Sequence, residues 1–87
     1  MKQYKLVIST PQGNVYEDNV MMLSVRGTEG SLAIMANHIP FITTTKDGEV
    51  KIIDGEENEF TANASSGLLT VTKESVTLLC GKFTINE

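Results

Sequence analysis

Tryptophan is absent from these 87 residues, and histidine and cysteine occur once each, at His38 and Cys80. A single cysteine cannot close an internal disulfide and fits a reducing compartment, so the chain must hold together by its core. Zinc sites take three or four His, Cys or carboxylate ligands, which His38 and scattered acids do not suggest. Bases are also few: seven Lys and Arg stand singly against eleven Asp and Glu, for a net charge of −4. Nucleic acid is recognised by clustered bases that displace counterions from phosphates, so no nucleic acid partner is expected. No apolar run approaches the roughly 18–20 residues of a membrane-spanning helix, and Met1-Lys2-Gln3-Tyr4 has no apolar signal core. These absences lead to the expectation of a soluble domain on the cytosolic side, with no direct membrane insertion.

What is present is strand. Apolar residues fall at alternate positions Tyr4, Leu6 and Ile8, the period of a strand with one face on a core. Turn chemistry follows at Thr10-Pro11-Gln12-Gly13-Asn14. Further strands are expected at Val15–Glu17, Asn19–Arg26, Ser31–Met35, Ile39–Thr45, Glu49–Ile53, Glu59–Ala64, Leu68–Thr72, Ser75–Cys80 and Phe83–Ile85. Asn19–Arg26 carries apolar residues on both faces, which suggests cover on both sides. Asp47-Gly48 and Asp54-Gly55 both read as hairpin signals. The acids Glu56 and Glu57 fall at the second of these, a solvated turn. No window holds a 3.6-residue period, and turn signals recur every 8–12 residues. The pattern is that of an all-β chain: a β-sandwich of about ten strands in one domain, residues 1–87, with essentially no helix. At 87 residues the core is small, and marginal stability or a partner is expected.

The most heavily punctuated stretch runs from Gly27 to Pro40 and holds two glycines, Asn37, the only histidine and a proline. Gly27 and Gly30 permit a tight loop, Asn37 tolerates a left-handed backbone, and Pro40 sets the entry to the next strand. Gly27-Thr28-Glu29-Gly30 is not a phosphate loop, because no Gly-Lys-Ser/Thr follows and no helix starts there. His38 has two readings, as a ring that caps the loop or as a contact residue at the loop end. Cys80, in a strand-like run, reads as a small buried side chain. A Cys-His pair lacks a third orienting group. The inventory therefore favours recognition over catalysis and implies no cofactor.

Gly27, Gly30, Leu32, Ile34, His38 and Pro40 match the pattern Gly-x-x-Gly-x-Leu-Gly-Ile-Leu-x-x-His-x-Pro. In this the chain resembles the epsilon subunit of F-type ATP synthases, in its N-terminal β-sandwich domain. Thr10, Pro11 and Gly13, the Lys46 to Gly48 turn, the Ser65 to Leu68 turn and a closing strand at Val76 to Leu79 extend the resemblance over about residues 4–80. Ala33 stands in place of the usual glycine, Ser31 where many members carry an acid, and Ser66 where they carry glycine. Members continue into a helical hairpin that this sequence does not include.

The resemblance implies a non-catalytic central-stalk subunit of a proton-translocating rotary ATP synthase, peripheral on the cytoplasmic face of the plasma membrane. It would couple the gamma subunit to the membrane c-ring, with Glu29 and Ser31 toward the c-ring and His38 and Thr43 toward gamma. Two other classes remain open on the residues alone. One is a free-standing β-sandwich adaptor or ligand-binding module. The other is a small enzyme that uses His38 and Cys80.

Overall fold

In a computed structural model that describes residues 2–37 and 39–86, the chain forms nine strands and no helix among the described residues. They are β1 (Tyr4–Thr10), β2 (Gly13–Gly27), β3 (Gly30–Met35), β4 (Phe41–Thr45), β5 (Gly48–Asp54), β6 (Glu59–Ala64), β7 (Gly67–Val71), β8 (Ser75–Cys80) and β9 (Phe83–Ile85). The all-β reading stands, and the two strands expected at Val15–Glu17 and Asn19–Arg26 are one. The polar Asp18-Asn19 pair does not interrupt it, because β1 continues to pair alongside from Tyr4↔Val20 to Thr10↔Gly13.

That long strand organises the domain. Its first half joins a layer of β2, β1, β8, β7 and β4, and its second half joins a layer of β3, β2, β5, β6 and β9. Within the first layer β1 and β8 run parallel, while the other pairings are antiparallel. Pairing with β5 slips between Val20 and Met22, so Val20 and Met21 are both buried in succession. One extra residue in a ladder reverses which side chains face inward. The doubled apolar pattern of this strand thus reflects a bulge at the change of layer, not cover on both sides.

Leu6, Ile8, Val20, Leu23, Ile34, Ile52, Leu69 and Leu78 are fully buried between the layers. Each contributes about 1.5–3 kcal/mol relative to exposure. Tyr4 ties the layers at one margin: its hydroxyl donates to the Ile34 carbonyl at 2.6 Å, and burial pushes its pKa up.

The two Asp-Gly signals have different outcomes. Asp54-Gly55 joins β5 and β6 as an antiparallel hairpin, with the Asp54 carboxylate accepting from the Glu56 and Asn58 amides at 2.9 Å each. Asp47-Gly48, by contrast, does not close a hairpin, since β4 pairs with β7 and β5 with β2 and β6. The Asp47 carboxylate is drawn instead to the Ser66 amide of the next crossing. Ser65 anchors the exit toward β9, where its hydroxyl oxygen accepts from the Gly81 and Lys82 amides at 2.9 Å.

Candidate functional site

At one end of the sandwich, β2 and β3 form a hairpin whose register closes at Gly27↔Gly30, leaving Thr28 and Glu29 as its tip. Gly30 takes a φ of +129°, which a side chain would strain. Gly27 is needed for space: a Cβ there would lie 2.9 Å from the Gly30 carbonyl oxygen and 3.1 Å from a Leu32 methyl. Ala33, by contrast, sits in regular strand without positive φ, and Asn37 is left-handed at φ 68°, both as the residue types predict.

A small notch beside the tip is lined by Thr28, Glu29, Ser31, Leu32 and Thr43. On its other flank lies a hollow lined by Arg26, Thr28, Ser31, Lys46 and Asp47. The structure therefore gathers Glu29, Ser31 and Thr43 at one end of the molecule, although the sequence reading assigned Thr43 to a different partner from the other two. His38 lies outside the described residues. Ile39 is 79% exposed, while Phe41 packs against the core, so the Ile39-Pro40-Phe41 triplet is divided between surface and interior.

The second candidate surface is the outer face of the first layer. Register aligns Ile42 with Thr70 and Thr70 with Thr77, and likewise Thr44 with Leu68 and Leu68 with Leu79. Ile42 is 66% exposed, Leu79 46% and Leu68 38%, and none of these outward positions is charged. Large exposed apolar side chains grouped on one face mark an interaction surface. Leu68 and Leu79 run into a shallow hollow with Ser9, Thr10, Pro11, Gly67 and Cys80. The sequence reading missed Ile42, Leu68 and Leu79 as candidates. Their signal was the doubled apolar pairs Phe41-Ile42, Leu68-Leu69 and Leu78-Leu79, in which one residue of each pair must face outward.

Catalytic chemistry finds little support. Cys80 is buried, as expected, and burial pushes its thiol pKa up, which disfavours the thiolate a nucleophile needs. No group of three or more His, Cys, Asp or Glu able to hold a metal occurs among the described residues. No helix of the structure is long and apolar enough to cross a membrane.

Residues 3–85 match the family described as ATP synthase, Delta/Epsilon chain, beta-sandwich domain. The ATP synthase epsilon chain of Bacillus pumilus is 39% identical over 79 residues, covering 91% of this chain and 60% of the relative. That of Bacillus subtilis is 38% identical over 79 residues, with 91% and 59% covered. The chain thus spans about three-fifths of the length of these curated relatives. Among solved structures, a chain of the Euglena gracilis mitochondrial ATP synthase (OSCP/F1/c-ring) superposes with a TM-score of 0.89 at 15% identity, over 95% of this chain and 53% of that one. A chain of the Tetrahymena thermophila mitochondrial ATP synthase central stalk/c-ring gives 0.76 at 15% identity, over 94% and 66%. At that identity the likeness is one of fold.

Proposed function

Since the chain belongs to the family of ATP synthase delta/epsilon β-sandwich domains, we propose that it acts as a non-catalytic epsilon-type subunit in the central stalk of a proton-translocating ATP synthase. In that role it joins the gamma subunit to the membrane c-ring, peripheral on the cytoplasmic face of the plasma membrane. The observation that carries this reading is the uncharged outer face of β4, β7 and β8, with Ile42, Leu68 and Leu79 in water. An isolated domain gains nothing from such a face, whereas a stable junction buries roughly 800 Å² on each partner around an apolar centre.

Gamma docks on that face, and His38 and Thr43 are proposed as further gamma contacts. The hairpin tip, bearing Glu29 and Ser31, meets the polar loops of the c-ring. The task is mechanical: the domain fastens shaft to ring so that rotation of one turns the other. It calls for a rigid body and two surfaces, and for no reactive side chain. The layers share β2 and one core, so a torque applied at the tip reaches the outer face through a continuous hydrogen-bonded network.

Co-purification from native membranes tests the reading. A tagged chain is expected to bring down gamma and the c-ring together, and persistent absence from that complex would sink it. Replacing His38 with alanine separates its two roles. Assembly weakens if the ring of His38 touches gamma, and the isolated domain loses about 1 kcal/mol if it caps the loop.

A further inference from the structure

We infer that the hollow formed by Arg26, Lys46 and Ser31 is an oxyanion site that holds one carboxylate side chain of the c-ring. This deepens the proposed function, since it rests on the hairpin tip facing the ring. Arg26 and Ser31 lie opposite each other on β2 and β3. The stem of Arg26 lies across Gly48, where a Cβ would sit 2.4 Å from its Cδ and 2.6 Å from its Nε. Glycine at 48, with φ +156°, is therefore what lets the side chain rest on the backbone.

Lys46 is brought alongside Arg26, its amide donating to the Arg26 carbonyl at 2.9 Å. Both residues line one hollow together with Thr28, Ser31 and Asp47. Asp47 is the one acid in the lining, against two bases. The ion pairs among the described residues are Lys5–Glu17 and Lys51–Glu59, and the Asp47 carboxylate is engaged by the Ser66 amide. Two bases against one acid favour capture of an anion, and a guanidinium offers a fork that matches a carboxylate. Asp47 in the wall disfavours a doubly charged phosphate relative to a monoanion, and apart from glycines the lining is polar or charged, with no shelf for an acyl chain.

The test uses the complex of this chain with gamma, measured for binding to the detergent-solubilised c-ring at several salt concentrations. R26Q should weaken ring binding about five- to tenfold and flatten its salt dependence, with affinity for gamma and melting temperature unchanged. R26K, which keeps the charge and loses the fork, should recover part of the loss. Amidation of the ring's exposed carboxylates with carbodiimide should reproduce the loss, and R26Q should add nothing to it. If R26Q binds an intact ring as the parent does, the site is overturned while the ring-facing reading survives. A parent complex that does not bind the ring at all overturns the ring-facing reading, and this site with it. Binding of the parent, but not of R26Q, to phosphatidylglycerol vesicles with unaltered ring binding would assign the hollow to lipid phosphate and overturn the carboxylate.

Discussion

The two outer faces of this sandwich are built by the same alternation and differ in chemistry. On the first layer the outward residues of β4, β7 and β8 are Ile42, Thr44, Leu68, Thr70, Thr77 and Leu79, and charge returns only at the β1–β2 margin, where Lys5 and Glu17 pair at 3.0 Å. On the second layer the outward residues include Ser24, Arg26, Ala33, Glu49, Lys51 and Glu59, with Lys51 and Glu59 at 3.9 Å. Surface ion pairs of this kind are worth little in stability, typically less than 1 kcal/mol, so their value is solubility. The first face is thus uncharged, whereas the second mixes ion pairs with an apolar row of Met35, Met22 and Ile53, of which Met35 is exposed. The hairpin tip lies where β2 and β3 extend beyond the shared core and carries the charged groups that a polar loop requires.

The contrast can be broken most severely at Gly67, which begins β7 beside the uncharged face. A Cβ there would lie 1.9 Å from the Leu79 carbonyl oxygen, so G67A must displace β7 from β8. A loss of about 3–4 kcal/mol is expected in urea unfolding, against about 1–2 kcal/mol for G30A at the hairpin, where only φ is strained. The next effect is on binding. I42E or L68E should lower gamma affinity by roughly 2 kcal/mol, about thirtyfold, with stability within about 0.5 kcal/mol, while K51E on the other face should leave gamma affinity unchanged. Equal effects of I42E and K51E in a pull-down titration would remove the distinction between the faces.

The acid response sharpens the same comparison more gently. Asp54 has its pKa lowered chiefly by the Asn58 amide, and Glu17 has its own lowered by Lys5. A carboxyl depressed in the folded state stabilises fully above its unfolded pKa of about 4 and loses that contribution as pH falls through the folded value. Melting temperature should therefore drop on acidification below about pH 4, and D54N should be less stable than the parent at neutral pH and show a shallower drop. The smallest effect is expected at Tyr16, whose hydroxyl is buried without a partner among the described residues. Y16F should be neutral or stabilising by up to about 1 kcal/mol in thermal unfolding.

Much of the candidate site was legible in the residues. Gly27 and Gly30 announced the hairpin tip, and Glu29 and Ser31 stand at it, whereas Asn37 lies past the far end of β3, so the punctuated stretch is not one loop. The proximity of Thr43 to that tip was not legible, because β4 reaches Gly27 only through the single pair with Thr45. Nor was the role of Arg26, a lone base in a strand, which acquires meaning only beside Lys46 and over Gly48.

By itself the sequence determined the all-β class, the places of most strands and the inward residues of β1. Those follow from alternation and turn chemistry within a few residues of each other. The tertiary structure decided which turns reverse the chain within a layer and which carry it across. It also decided the phase shift after Val20 and the alignment of Ile42, Leu68 and Leu79 on one uncharged face. These depend on register between strands far apart in the chain, and a local pattern is the same whichever neighbour the strand finds.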